Sequence, residues 1–256
     1  MQKALFGTLW DTGPWQRLEQ AIRGGQMPCS AFGVSEARRS HLIPAIMARI
    51  GRPLLIVVNT DVRALRLAED IAAMTGTDCP VFPPRPSMLR KVAAASRDIQ
   101  SRRLSILSAA LEGKLPVVVT TAEALSFPLA PPKAFRGGSL SIAVGQQQDL
   151  RELTARLAMA GYTREERAEG PGQFAVRGGI LDVFPQGAEM PARVEFYGDE
   201  VEMIRLFDTW TQRSEGTVRE LSIFPATESP LDDSALQRGA EAMKRALADT
   251  KAALKK

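Results

Sequence analysis

The stretch "QFAVRGGILDVF", residues 173–184, contains two short runs of alternating apolar residues separated by Gly178-Gly179. The stretch "RVEFYGDEVEMIRLF", residues 193–207, repeats this arrangement around Gly198-Asp199. Alternation with period two is typical of half-buried strands, and glycine at a two-residue turn relieves the steric cost of positive φ. The two stretches therefore predict two β-hairpins in a small antiparallel α+β unit that spans residues 139–225.

A helix is predicted immediately before these hairpins, in "DLRELTARLAMAGY", residues 149–162. Leu150, Leu153 and Leu157 share one face of this helix, and Gly161 is placed to end it. The preceding stretch "FPLAPPKAFRGG", residues 127–138, is rich in proline and glycine, which indicates a linker.

The first 128 residues show a different pattern, in which strands and helices alternate. The runs "PLLIVVN" (53–59) and "LPVVVTT" (115–121) are continuously apolar, which favours strands buried on both faces. A helix is predicted between them, with Asp61 as its N-cap and Gly76 as its C-cap. Its expected apolar face consists of Val62, Leu65, Ala68, Ile71 and Ala72. Residues 1–128 are therefore predicted to form an α/β domain with a parallel sheet.

The tail, residues 229–256, is predicted to be a helix that opens at Ser229-Pro230. Its apolar stripe, which is expected to pack on a neighbour, comprises Leu236, Met243, Leu247 and Leu254. The abrupt ending "TKAALKK" suggests a piece of a longer protein.

Composition limits the chemistry that this chain can perform. It has one histidine, His41, which argues against the usual catalytic triads and zinc sites, and we expect neither a metal nor a cofactor. Cys29 and Cys79 are expected to be buried, reduced thiols. The net charge of +4 is mild, no apolar run is long enough to span a membrane, and no export signal is evident. These features predict a cytoplasmic protein without membrane contact.

The stretch "SAFGVSEARRSHLI", residues 30–43, follows the spacing of a phosphate-binding loop, G-x-x-x-x-G-K-[ST]. Gly33 and Ser40 match, but Arg38 takes the place of the second glycine and Arg39 that of the lysine. The side chain of Arg38 would crowd a phosphate, and a planar guanidinium does not fit a site built for an ammonium. We do not expect ATP hydrolysis. On the residues alone, an ordinary turn and a degenerate nucleotide site both remain open.

Residues 170–208 strongly resemble a segment of the bacterial transcription-repair coupling factors, whose N-terminal part is similar to the excision-repair protein UvrB. The motifs "RGGILDVFP", "GDEVE", "IRLFD" and "TQRS" follow in order at close spacing, and the resemblance extends over most of residues 1–226. Two departures separate the chain from UvrB itself: the altered phosphate loop, and the short stretch between Val81 and Ser96, which leaves no room for UvrB's aromatic-rich hairpin.

The resemblance implies a degenerate RecA-like domain whose inactive loop contains Gly33, Arg38, Arg39 and Ser40. It also implies a small domain that binds UvrA, so that nucleotide excision repair reaches a stalled RNA polymerase. Full-length family members are ATP-dependent DNA translocases, but their motor and RNA-polymerase-binding regions lie downstream. The chain itself is therefore expected to be a non-catalytic binding module.

The polar face of the two hairpins is the predicted partner-binding surface, since arginine and tyrosine are enriched at binding hot spots. The candidate contacts are Arg177, Arg193, Glu195, Phe196, Tyr197, Asp199 and Glu200. Among these, strand alternation directs Phe196 to the core.

In the predicted register, Glu195 stands opposite Glu202, and Val194 pairs with Met203. The arginines have an alternative role as partners of surface ion pairs, Arg177 with Asp182 and Arg193 with Glu202, each worth about 0–1 kcal/mol.

Nonspecific DNA binding is the alternative function. "PPRPSMLRK" (83–91) with Arg97, Arg102 and Arg103, and separately Arg38 and Arg39, could contact phosphates in a salt-sensitive way. Aromatic residues do not interleave with these cations, so stacking on exposed bases is not indicated.

Overall fold

The computed structural model describes residues 2–26, 28–85, 93–230 and 233–253, which contain eight helices and eleven strands. The chain forms two compact units. The first consists of Met1–Arg90 and Glu112–Phe127, and the second of Lys91–Leu111 and Pro128–Lys256. Both units combine helices with a sheet, so the α/β class holds.

The first unit contains a three-stranded parallel sheet in the order β1-β3-β2. Its elements are α1 (Gln2–Trp10), α2 (Gly13–Arg23), α3 (Glu36–Ile50), β1 (Leu54–Val58), α4 (Asp61–Thr75), β2 (Val81–Phe82) and β3 (Val117–Thr121). One face of α4, centred on Ala68 and Ile71, packs against Val117 and Val119 of β3. The two strands predicted from apolar runs are thus confirmed, as is their parallel pairing.

Strand β1 is not buried on both faces, contrary to the prediction. Leu55 and Val57 are 60% and 50% exposed, whereas Leu54, Ile56 and Val58 pack against the core. The difference arises because β1 is an edge strand of the three-stranded sheet, and one of its faces has no covering element among the described residues of the unit.

Helix α4 is rotated relative to its predicted apolar face. Val62 and Leu65 are largely exposed, while Ala64 is fully buried beside Ala68 and Ile71. The N-cap is Thr60 rather than Asp61, because the Thr60 hydroxyl accepts a hydrogen bond from the backbone N–H of Arg63. The predicted C-cap at Gly76 is confirmed by its left-handed φ of 65°.

The second unit is built around a six-stranded sheet in the order β10-β9-β8-β7-β6-β5, with a separate pair β11-β4. Its elements are α5 (Ala93–Leu111), α6 (Pro132–Gly138), β4 (Leu140–Ala143), α7 (Leu150–Met159), β5 (Thr163–Arg164), β6 (Gln173–Arg177), β7 (Ile180–Phe184), β8 (Ala192–Tyr197), β9 (Glu200–Phe207), β10 (Ser214–Val218), β11 (Glu220–Ile223) and α8 (Asp233–Ala253). Strands β5 and β6 are parallel and the other neighbours antiparallel, so the sheet is mixed rather than purely antiparallel as predicted.

One face of this sheet, here called the inner face, forms the core of the unit. Its apolar residues include Leu181, Val194 and Ile204, which cluster with Leu153 and Leu157 of α7. The predicted apolar face of that helix is therefore confirmed. The opposite face of the sheet is called the outer face.

The proline- and glycine-rich stretch 127–138 is not simply a linker. Its second half forms α6, and Phe135 is buried with its ring stacked 5.5 Å from that of Phe224. The proline and glycine content indicated interruptions of regular structure in this stretch, but it did not indicate the stacked pair of Phe135 and Phe224.

Both predicted hairpins are present. Arg177 pairs with Ile180 across the first turn, and Tyr197 pairs with Glu200 across the second, so each turn contains two residues. Gly178 and Gly198 open these turns with φ of 59° and 62°, a conformation that favours glycine.

The predicted register of the second hairpin is wrong beyond its first two pairs. Phe196 pairs with Val201, but Glu195 pairs with Met203 and Val194 with Ile204. A β-bulge at Glu202 inserts one extra residue into β9, and this shifts every later pair by one position.

Helix α5 groups with the second unit although it lies between β2 and β3 in the sequence. Its Arg103 is fully buried and forms a two-pronged ion pair with Glu228, with Nη2 2.9 Å from Oε2. Ser101 of the same helix donates a hydrogen bond to Gln186 at 3.0 Å. Arg103 is therefore unavailable to DNA, contrary to the alternative considered above.

Helix α8 presents part of its predicted stripe to solvent, since Met243 is 75% and Leu247 is 55% exposed. No neighbour covers them among the described residues, while Leu236 and Leu254 lie outside the described side chains. No described helix has the length and apolar character needed to cross a membrane.

The two cysteines differ in environment. Cys29 is exposed, contrary to prediction, whereas Cys79 is buried, which raises the pKa of its thiol to about 11.

Candidate partner-binding surface

The outer face carries a row of four side chains that the strand register places next to one another. The row runs Arg177, Ile180, Glu195, Met203 across strands β6, β7, β8 and β9. Ile180 is 38% exposed, and Glu195 and Met203 are partly exposed. Two apolar residues thus alternate with two charged ones on an accessible sheet surface.

Arg193 lies in the next row and is held by Asp182 on the neighbouring strand. Its Nε and Nη2 donate to the two carboxylate oxygens of Asp182 at 2.7 and 2.8 Å. These hydrogen bonds raise the pKa of Arg193 above its ordinary value. The guanidinium also lies 4.7 Å from the ring centroid of Phe207.

Asp182 is 7% exposed, so the Arg193 pair is more than a surface ion pair. The pairings considered from sequence, Arg177 with Asp182 and Arg193 with Glu202, are both wrong, because Arg193 stands directly opposite Asp182 in the observed register. Arg193 therefore stabilises the sheet, and about a quarter of its side chain (27%) remains exposed.

Glu195 forms an ion pair with Arg205, whose Nε lies 3.1 Å from a carboxylate oxygen. The like-charge pair predicted between Glu195 and Glu202 does not form, because the bulge places Met203 opposite Glu195. Both members of the Glu195–Arg205 pair are partly exposed, at 27% and 41%, so the pair contributes little to stability.

Arg177 is exposed, and its Nη2 donates to the backbone carbonyl of Glu166 at 2.5 Å. It has no ion pair with a carboxylate within the described parts of the chain. Its charge can therefore meet an anionic group without first breaking an internal salt bridge.

The remaining candidates lie at or near the tip of the second hairpin and differ in their exposure. Tyr197 is 82% exposed and Asp199 is also exposed, while Glu200 accepts a 3.4 Å hydrogen bond from Gln147. Phe196 is half-buried and packs against the inner-face core, as strand alternation indicated.

The region that carries this surface is similar to a known protein family. Residues 140–228, which contain the whole outer face, match the UvrB interaction domain family. The transcription-repair-coupling factor of Myxococcus xanthus is 30% identical over 244 residues, covering 92% of this chain and 20% of that protein. Those of Haemophilus influenzae and Bacillus subtilis are 29% and 28% identical over 226 and 197 residues, covering 88% and 77% of this chain and 19% and 17% of theirs.

The chain is related to the N-terminal region of the transcription-repair coupling factors. The resemblance found in the sequence is thereby confirmed. The chain spans about a fifth of the length of these curated relatives.

Several exposed residues of the UvrB interaction domain were not among the sequence candidates. Ile180 lies between Arg177 and Glu195 in the row, Met203 lies at its β9 end, and Arg205 pairs with Glu195. Trp210, in the turn after β9, is 93% exposed. Alternation along β7 places Ile180 on the same face as Arg177, but the bulge made the positions of Met203 and Arg205 unpredictable from alternation.

The altered phosphate loop lies in the first unit, and its residues are used in local structure. Gly33 has a φ of 74°, and α3 begins three residues later. The backbone N–H groups of Arg38 and Arg39 both donate to the carbonyl of Ser35. The Ser40 hydroxyl donates to Asp70 at 2.5 Å, so it is engaged in packing α3 against α4. No group of three potential metal ligands occurs in the described part of the chain.

Proposed function

We propose that this chain is a non-catalytic module that binds UvrA through the outer face of its six-stranded sheet, and thereby recruits nucleotide excision repair to stalled RNA polymerase. The observation that carries the proposal is the exposed row Arg177, Ile180, Glu195 and Met203 within the UvrB interaction domain. RNA polymerase itself is proposed to be contacted only by regions downstream of this chain.

The row has the character of a protein interface rather than of a small-molecule site. Its apolar members, Ile180 and Met203, can be desolvated by a partner, and Arg177 can donate several hydrogen bonds from one side chain. The underlying backbone is a hydrogen-bonded sheet whose Arg193–Asp182 pair fixes neighbouring strands. Such a surface loses little conformational entropy on binding.

The absence of catalysis is proposed from the loop in the first unit, which we infer to descend from a RecA-like nucleotide site. The parallel order β1-β3-β2 and the Gly33 loop support that origin. Arg38 at the second glycine position and the use of Ser40 to bind Asp70 argue against a nucleotide. The domain bounds 139–225 and 229–256 and a cytoplasmic location remain part of this proposal, whereas the bound 1–128 takes in residues 91–111, which group with the second unit.

The test is calorimetric titration of the chain into purified UvrA, with Arg177→Ala as the decisive variant. Arg177 is exposed and has only a backbone carbonyl as its partner among the described residues, so its removal should leave the fold intact. If Arg177 is a binding hot spot, its replacement by alanine should weaken binding by more than about 1 kcal/mol. The matched control is Arg156→Ala, which removes an exposed arginine of α7. This variant should bind UvrA as tightly as wild type.

Arg193→Ala is a weaker test of binding, because it leaves the buried carboxylate of Asp182 without its partner. Its affinity is interpretable only beside a measurement of folding. Absence of binding by the folded wild-type chain would refute recruitment by this module alone.

Nonspecific DNA binding gains no specific support, since Arg103 is buried in its pair with Glu228. Residues 86–91 of the basic stretch lie outside the described residues, as does the side chain of Arg97. A salt-sensitive gel shift without UvrA binding would replace the recruitment proposal with this one.

A further inference from the structure

The turn that joins β9 to β10, here called the Trp210 turn and comprising residues 208–213, presents a tryptophan almost completely to solvent. Trp210 is 93% exposed, whereas Trp15 in the first unit is 3% exposed. Tryptophan carries the largest apolar side-chain surface, so full exposure on an ordered turn points to a binding role.

The Trp210 turn is held in one conformation by Asp208. One carboxylate oxygen of Asp208 accepts hydrogen bonds from the backbone N–H of Trp210 at 3.1 Å, from that of Thr211 at 2.7 Å, and from the Thr211 hydroxyl at 2.9 Å. The bonds from Thr211 are the main reason that the pKa of Asp208 lies below its ordinary value.

Gln212 completes the turn in a conformation that side chains rarely adopt. Its φ of 56° is the only positive value at a non-glycine residue in the described ranges. Its backbone N–H donates to the carbonyl of Asp208 at 2.9 Å, and its side-chain amide donates to that of Thr209 at 2.8 Å. A backbone held against its intrinsic preference in this way indicates that the surroundings specify the turn.

The Trp210 turn is continuous with the outer face. Arg193 Nη2 donates to the side-chain oxygen of Gln212 at 3.4 Å, and the same guanidinium lies over Phe207, the last residue of β9. Arg193 thus connects the turn to Asp182 and to the rows described above.

We propose that Trp210 is an anchor of the partner-binding surface and inserts into an apolar pocket of the protein that the outer face binds. This inference rests on the proposed function. The turn is pre-organised, so burying the indole would cost little additional ordering. Among the charged residues in and next to the turn in the sequence, Asp208 and Glu215 are carboxylates and Arg213 is a cation, while Arg193, which reaches the turn from β8, is already paired with Asp182. That balance disfavours a polyanion and favours an uncharged protein pocket.

The experiment compares the full chain with Trp210→Ala, Trp210→Phe and Phe32→Ala in titrations with UvrA. Phe32 is 91% exposed in the first unit and provides a matched control for loss of an exposed aromatic ring. We expect the dissociation constant to rise at least tenfold for Trp210→Ala, less for Trp210→Phe, and not at all for Phe32→Ala. Circular dichroism should give the same spectrum for all four proteins.

The titrations separate the role of Trp210 from the recruitment of UvrA by the chain as a whole. Equal affinity of wild type and Trp210→Ala for UvrA would overturn the role of Trp210 and leave recruitment standing. No binding by wild type would overturn both. A Trp210→Ala variant that loses affinity for oligothymidylate, but none for UvrA, would assign the indole to nucleic-acid stacking and also overturn the proposal.

Discussion

Replacing Glu228 by glutamine should destabilise the second unit substantially, because it neutralises the charge that Arg103 faces. Arg103 is fully buried and the side chain of Glu228 is 9% exposed, with both prongs of the pair formed. Removing one member of a buried pair costs about 3–5 kcal/mol. Glutamine keeps the size and one acceptor oxygen, so we expect the lower end, about 3 kcal/mol. For a chain of this size, that lowers Tm by about 6–12 °C.

Thermal unfolding followed by circular dichroism measures this effect, and amide hydrogen exchange locates it on α5. Arg102→Met is the control, since Arg102 is the exposed neighbour of Arg103 and its replacement should change stability by less than about 0.5 kcal/mol. The double variant Arg103→Met/Glu228→Leu should recover more than half of the loss, because it removes both charges. If Glu228→Gln is no more destabilising than Arg102→Met, the ion pair does not hold α5 in the second unit.

Three further predictions concern single positions. Gly161→Ala should lower the free energy of unfolding by about 1–3 kcal/mol in a urea titration, because Gly161 has a φ of 90° and an added Cβ would lie 2.9 Å from the Cβ of Thr227; an unchanged midpoint would contradict this. Asp208→Asn should lower Tm at pH 7, and the difference from wild type should shrink as the pH falls below about 4, since a group with a lowered folded-state pKa contributes stability that acid removes; a pH-independent difference would refute the role of its charge. Leu55→Thr should cost less than about 0.5 kcal/mol in the same urea assay, because Leu55 is 60% exposed; a cost of 2 kcal/mol or more would indicate burial on both faces.

The hairpins of the second unit could be predicted because their signals are local. The glycines that open the turns and the alternation of the flanking residues lie within a dozen positions of one another. The same local reasoning could not predict the register of β9. A bulge at Glu202 leaves the apolar pattern near the turn intact, and only the cross-strand partners reveal the shift.

The burial and the ion-pair partners of charged residues were harder to predict, because the partners are distant in the sequence. Arg103 lies beside Arg102 in a polar-looking helix, and nothing within several turns signals that it is buried. Its partner Glu228 lies 125 residues away. The sequence favoured Arg177 as the partner of Asp182, whereas the bidentate bond of Asp182 is to Arg193 and depends on the pairing of β7 with β8. The candidate surface was therefore identified by face, whereas the roles of its arginines required the structure.

The exposure of one face of strand β1 could not be predicted for a similar reason. A continuous apolar run such as residues 53–59 predicts a strand, but it does not tell whether a second layer covers it. Leu55 and Val57 belong to an edge strand, so their exposure depends on which other segments assemble around the sheet.

The position of α5 in the sequence affects the order of events during synthesis. All residues of the first unit have been translated by residue 127, whereas α5 must wait for Gln186 and then Glu228. At about 5–20 residues per second, the ribosome needs roughly 6–25 s to travel from Arg103 to Glu228. During that interval Leu104 and Ile106, which are buried in the finished protein, have no completed unit to cover them. The apolar side chains of the nascent helix therefore stay uncovered until the second unit closes around it.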